Sequence, residues 1–196
     1  MLMTIKDVSR RAFLKRLVQT LSTLAVAIGL WPFISSMQPS KKALEASKPI
    51  KVSLKGLSEN EIKKVLWRGM PIYIIKRSPQ QIKMIKVKNE QLLDPDSKAS
   101  DQPQNAQNVF RSVREDVLVV VAVCTHLGCS PSYEPAKNAV GEGWHGGFFC
   151  ACHGSKFDLS GRVFKGVPAP TNLLIPPYYF MDDETIVIGS EAPSYA

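Results

Sequence analysis

All four cysteines of this 196-residue chain, and two of its three histidines, sit in two six-residue boxes, CTHLGC at 124–129 and CACHGS at 150–155. Soft thiolates and borderline imidazoles brought together on tight loops are metal ligands, and the glycines at 128, 146, 147 and 154 permit such turns. Box one offers Cys124, His126 and Cys129; box two offers Cys150, Cys152 and His153. Two cysteines with two histidines suit either of two centres: tetrahedral zinc, or a 2Fe-2S cluster with both cysteines on one iron and both histidines on the other. The spacing argues against zinc fingers, which usually consume every cysteine, because two would be left over here. His145 lies outside both boxes and reads as a surface or structural residue.

The elements around the boxes are short and β-rich. VLVVVAV at 117–123 is a continuous run of mostly β-branched residues, which predicts a buried strand delivering Cys124 at its end. VSL at 52–54, VLW at 65–67 and PIYII at 71–75 predict strands, the last two joined as a hairpin through Arg68-Gly69. Val163-Phe164, Pro176–Phe180 and Ile186–Ile188 supply further short strands. A helix is expected after Ser78, where a cap, Pro79 and Gln81 stand in the right order. A second capping box, Ser58 to Glu61, would start a helix inside a stretch that otherwise alternates like strand. Residues 94–108 hold no core residue larger than alanine and are expected to form an exposed loop.

Charge is distributed unevenly. The net formal charge is +6 over residues 1–50, +5 over 51–117 and −3 over 118–196. The third that carries the boxes is mildly acidic and has no basic stripe with interleaved aromatic residues, which argues against a nucleic-acid partner.

The basic excess at the front instead precedes an uncharged run, Leu17 to Ser40. Its 24 residues would reach roughly 36 Å as a helix, against a hydrocarbon core of roughly 30 Å. A cleavable signal would want small residues in an A-x-A arrangement at its end. The one such triplet, Ala25-Val26-Ala27, lies inside the run, so an uncleaved single-pass anchor over 17–36 is expected. Positive charge before the span places the N-terminus in the cytoplasm and the rest of the chain beyond the membrane. Ser9-Arg10-Arg11-Ala12-Phe13-Leu14-Lys15 also matches the twin-arginine export signal at every fixed position, assigning residues 1–16 to that cytoplasmic segment. Such export carries proteins already folded, which usually means a cofactor inserted beforehand. Residues 37–50, bracketed by Pro39 and Pro49, read as a flexible hinge linker before a head domain at 51–196.

The paired boxes resemble those of the Rieske iron-sulfur proteins, C-T-H-x-G-C and C-x-C-H-G-S, including the trailing Gly154-Ser155. The likeness extends over most of residues 1–190. Trp67-Arg68-Gly69 with Pro71, Leu93-Asp94-Pro95, Gly161-Arg162 and Pro168-Ala169-Pro170-x-Asn172-Leu173 all look like the bacterial iron-sulfur subunit of the cytochrome bc complex. The resemblance implies an all-β head of small antiparallel sheets with an inserted short helix and cluster-binding loops at about 124–173, plus one N-terminal transmembrane helix.

It further implies one Rieske-type 2Fe-2S cluster, with Cys124 and Cys150 on one iron, His126 and His153 on the other, and a disulfide between Cys129 and Cys152. That bond would close a loop worth roughly 3 kcal/mol in the chain-entropy model and would need an oxidising compartment. Two ferric ions, two sulfides and two thiolates sum to zero charge, so adding an electron is easier than in a four-cysteine cluster. By resemblance, His153 takes proton and electron from quinol at cytochrome b, and the head then swings to a c-type cytochrome within a dimeric complex in the bacterial inner membrane, its head in the periplasm.

Leu127, apolar on a loop tip, is expected to be a docking contact, and the loop from Gly166 to Leu173 to cover the cluster. Ser155 is expected to donate to a bridging sulfide. Two departures stand out: Ala151 replaces the family's usual proline, and Phe157 its usual tyrosine. A phenylalanine has no hydroxyl to donate to a cysteine sulfur, which predicts a lowered reduction potential. Two rival readings are the Rieske small subunit of a periplasmic molybdenum oxidase and a zinc-stabilised, membrane-anchored binding module.

Overall fold

The computed structural model describes residues 5–87 and 90–191. The chain divides into two compact units, residues 1–44 and 45–196.

The first unit is dominated by α1 (Ile5–Ser36). One continuous helix therefore runs from Ile5 past Arg10 and Arg11 into the apolar run, and Ser9–Ser36 is long and apolar enough to cross a membrane. The polar residues in its first turns are accommodated locally. Thr20 Oγ1 donates to the Leu17 carbonyl at 2.9 Å and Thr23 Oγ1 to the Gln19 carbonyl at 2.8 Å, so neither hydroxyl needs water. Phe13, Leu17, Leu21, Leu24, Ile28 and Phe33 stand exposed around the helix.

The linker is not wholly irregular: α2 (Lys41–Ala46) forms within it. Its final residues are bonded to the head, with Arg68 N–H donating to the Ala46 carbonyl at 3.1 Å and Trp67 Nε1–H to the Lys48 carbonyl at 3.2 Å. The first strand, β1 (Ile50–Ser53), starts one residue before the expected head boundary.

Among the described residues, the second unit holds three antiparallel sheets of three strands. The first orders β1 against β9 (Thr185–Ile188) and β8 (Tyr178–Asp182). The second orders β2 (Ile62–Trp67), β3 (Met70–Lys76) and β4 (Val117–Val121). The third orders β5 (Ser132–Glu134), β6 (Gly147–Cys150) and β7 (Ser155–Phe157). The hairpin between β2 and β3 turns at Arg68 and Gly69, both at positive φ (53° and 76°), the geometry of a tight two-residue hairpin loop. Every residue of β4 is buried, and its free edge is covered where Val121 N–H donates to the Leu174 carbonyl at 2.9 Å. One continuous core joins Ile72, Ile74, Leu118, Val120, Phe148, Phe157, Leu173, Tyr178 and Ile186.

The expected helix is α3 (Pro79–Lys86), started by a reciprocal Ser78/Gln81 capping box. The other box, at Ser58, starts no helix. Glu61 does reach back to the Ser58 N–H at 3.0 Å, but Asn60 sits at φ 64° and its N–H bonds the Lys76 carbonyl at 2.8 Å. Pairing with β3 claims the residues a helix would have used.

The 94–108 segment is likewise not the loose loop its composition suggests. Asp94 accepts from the N–H groups of Lys98 and Ala99 at 2.8 and 3.1 Å and from the Ser100 hydroxyl at 2.9 Å, and Ser97 and Ala106 are buried. Partial burial pushes the Asp94 carboxyl up, but these donors more than offset it and hold it below the ordinary carboxylate value.

Candidate metal centre

Both boxes are carried by the ends of strands. Box one follows β4 through the buried Ala122, and box two is the loop of the β6–β7 hairpin, in which Cys150 and Ser155 are register partners. The two loops are built alike. Gly128 N–H donates to the Cys124 carbonyl at 3.0 Å and Gly154 N–H to the Cys150 carbonyl at 2.9 Å, each closing a turn four residues after its cysteine. Both glycines have left-handed φ, 83° and 77°, which closes the turn without the penalty a side chain would bring. The hairpin also needs glycine beneath it: a Cβ on Gly147 would lie 2.0 Å from the Phe157 carbonyl oxygen.

The six ligand-type residues separate into two groups. Cys129 and Cys152 form a disulfide with Cα atoms 6.7 Å apart, tying loop to loop. Cys124 and Cys150 are buried free thiols. Burial pushes the Cys150 thiol up, the Cys124 side chain hydrogen-bonded to it adds to this, and the backbone N–H groups of Cys152 and His153 act the other way. Those two N–H groups point at the sulfur and would favour its thiolate in a ligated state.

His126 and His153 meet edge to face, ring centroids 4.8 Å apart. His126 is half-buried and its Nδ1 is buried with no hydrogen-bond partner, whereas His153 is exposed. The paired imidazoles, one with an orphaned ring nitrogen, and the paired thiols of Cys124 and Cys150 together supply the donor types of a His2Cys2 site. Cys150 Sγ also lies within 4.8 Å of the sulfurs of Cys129 and Cys152. That trio is no metal site, because two of its members are bonded to each other.

The proline-rich segment is fastened to both boxes. Thr125 Oγ1 donates to the Thr171 carbonyl at 2.7 Å, and Ser155 Oγ accepts from Ala169 N–H at 3.1 Å. Fully buried Arg111 spans the base of the segment, donating to the carbonyls of Ser160 and Gly161 (3.2 Å each) and Leu173 (2.6 Å). Burial lowers its guanidinium to about 10, still charged at neutral pH, with Asp158 and Asp94 opposing the shift. Asn172 accepts from Val163 N–H at 2.8 Å and donates to the Asp94 carbonyl at 3.0 Å, joining the segment to the 94–100 turn. Thr125 and Asn172 lay inside quoted motifs without a role being read for either, and Arg111 lay in none, because none of the three is a ligand type.

Leu127 is 71% exposed in box one, while Phe157 is fully buried in β7. His145 is exposed and lines a cleft of about 420 Å³ with Met84, Ile85, Leu159, Arg162 and Phe164. That cleft holds no member of either box. Leu127 and His153 are both exposed, one in each box.

Comparison with known families matches the Rieske [2Fe-2S] domain to residues 52–179. Curated relatives include the ubiquinol-cytochrome c reductase iron-sulfur subunits of Allochromatium vinosum, 40% identical over 187 residues (94% of this chain, 90% of the relative), and of Bradyrhizobium diazoefficiens, 42% over 181 residues (92% and 94%). That of Blastochloris viridis is 39% identical over 184 residues (94% of each chain). The chain belongs to the Rieske [2Fe-2S] family, in the branch formed by the iron-sulfur subunits of ubiquinol-cytochrome c reductase.

Proposed function

We propose that this chain is the electron-carrying subunit of a membrane-bound quinol:cytochrome c oxidoreductase, the enzymatic activity belonging to the complex and not to the isolated subunit. The observation that carries the reading is a pair of pairs on two disulfide-tied loops: the His126 and His153 rings edge to face, and the Cys124 side chain hydrogen-bonded to Cys150. Cys124 and Cys150 would hold one iron, and His126 and His153 the other. When bound, the cluster supplies a one-electron site in the range of roughly −150 to +300 mV.

The chain's own residues do the remaining work. His153 is exposed and His126 is half-buried, so His153 is the ligand that meets a quinol hydroxyl and takes its proton. Leu127 supplies an apolar contact beside it for cytochrome b and, in turn, a c-type cytochrome. The 166–173 segment, held by Thr125, Ser155 and Arg111, shields the site from water. Ser155 spends an acceptor lone pair on Ala169 and keeps its proton for a bridging sulfide.

Residues 17–36 anchor the chain in the bacterial inner membrane, with 1–16 cytoplasmic and the head from 51 on the periplasmic side. The 37–50 linker lets the head travel, and the bonds at Ala46 and Lys48 support placing the hinge ahead of Ala46. A dimeric complex is the expected assembly.

Iron analysis and EPR on the full chain in detergent, before and after ascorbate, test the reading. Two irons per chain with a rhombic signal appearing on reduction are expected. Folded, metal-replete protein holding zinc and giving no signal would overturn it.

A further inference from the structure

Cys150 faces two sulfurs that play no part in ligation. Its Sγ and those of Cys129 and Cys152 all lie within 4.8 Å of one another. The hairpin causes this: Cys150 and Cys152 flank Ala151 in one loop, and the disulfide draws Cys129 in from the other. A free thiol this near a disulfide meets it as an intramolecular nucleophile, and side-chain rotation has to bring it into line with the S–S bond.

We propose that, whenever no cluster ligates it, Cys150 undergoes internal thiol–disulfide exchange with the Cys129–Cys152 bond. The Cys150 sulfur attacks that of Cys129 and gives up its thiol proton as the new bond forms. The Cys150–Cys129 bond forms as Cys129–Cys152 breaks, and the electron pair departs on Cys152, which takes up a proton. One thiol and one disulfide are present before and after, so no external oxidant is needed. Attack at Cys129 is favoured over Cys152 for two reasons. The product still joins the two loops, without linking residues two apart in the same tight turn. The departing Cys152 is also exposed, where water stabilises a leaving thiolate.

The exchange removes a ligand sulfur and leaves a surface thiol in its place. Resting on the cluster reading above, this fixes an order of assembly: ligation precedes closure of the disulfide. A twin-arginine signal delivers that order, because the chain folds in a reducing compartment and meets oxidising conditions after export.

The test uses the full chain in detergent carrying Cys124→Ala. This variant lacks one ligand, keeps the sulfur trio, and cannot form a Cys124–Cys150 bond by direct oxidation. After acid quench, free thiols are alkylated and the disulfides mapped by mass spectrometry without reduction. A Cys129–Cys150 link with alkylated Cys152 in most chains is expected. The double variant Cys124→Ala, Cys150→Ala should show only Cys129–Cys152. Cys124→Ala chains that retain Cys129–Cys152 and carry alkylated Cys150 would overturn the proposal, and a Cys150–Cys152 link would overturn attack at Cys129. If the variant does not accumulate, unmodified chain stripped with an iron chelator under anaerobic conditions, which prevent oxidation of Cys124 to Cys150, gives the same readout. Iron content and EPR of the untreated chain report separately on the cluster reading.

Discussion

The imidazoles of His126 and His153 stand with ring centroids 4.8 Å apart and planes at 88°, although they come from separate loops. Neither histidine belongs to the hydrophobic core. His126→Ala and His153→Ala should therefore each abolish bound iron while leaving the body of the head folded. Iron per chain and the EPR spectrum read the first effect, and far-UV circular dichroism the second. A variant that keeps two irons and the rhombic signal would show that its histidine is not a ligand.

Ser155 is fully buried and its hydroxyl accepts from Ala169 N–H. Ser155→Ala leaves that N–H unpaired, at a cost of about 1–3 kcal/mol. It also removes a donor that would favour the more negative reduced cluster, so the reduction potential should fall. Denaturant unfolding and a redox titration measure the two effects independently; an unchanged potential would assign Ser155 to holding the 166–173 segment alone.

Phe157 has no solvent exposure and carries no donor. Phe157→Tyr introduces a hydroxyl two residues after Ser155, the register partner of Cys150. If that hydroxyl donates to a ligating sulfur, the potential rises. A loss of stability with no change in potential would mean that the hydroxyl is buried without a sulfur to bond.

Arg111 ties three carbonyls at the base of the 166–173 segment, at 3.2, 3.2 and 2.6 Å. Replacing it with methionine keeps much of the volume but strands those acceptors and, with them, Gln102. The expected loss is about 1–3 kcal/mol for each acceptor that water does not reach, seen as a lower denaturant midpoint together with faster proteolysis of the segment. Wild-type values for both would remove Arg111 from this role.

Asp94 sets a pH dependence. Its folded carboxyl lies below the ordinary value of about 3.9. The stabilisation it contributes is thus complete above that value and is lost as pH falls through the lower folded one. Asp94→Ala should cost about 1 kcal/mol at pH 7, by analogy with a lost capping side chain. The difference from wild type should shrink on acidification below about 4. Equal differences by urea unfolding at neutral and acidic pH would exclude the carboxylate as the cause.

Much of the scaffold was legible locally. The β-branched run before Cys124 became β4, Arg68-Gly69 became the hairpin turn, and Ser78 with Gln81 capped α3. Each depends on neighbours a few residues away, and periodicity and capping chemistry record such neighbours well. The failures were non-local. Ser58 carries as good a capping pattern as Ser78, yet β3 takes its downstream residues. Asp94 and Ser97 look like loop residues until Asn172 arrives to bond them.

The sequence by itself determined the kinds of ligand, their two boxes and a segment able to span a membrane, because these depend on residue identity and short spacing. It also carried the family likeness from which the cysteine pairing was expected. Only the tertiary structure decided which of four similar sulfurs bond and which stay free. The end of β4 and the β6–β7 hairpin bring Cys129 to Cys152 while keeping Cys124 and Cys150 buried as thiols. A covalent bond requires a distance in space, and in this chain that distance is set by strands far apart in sequence.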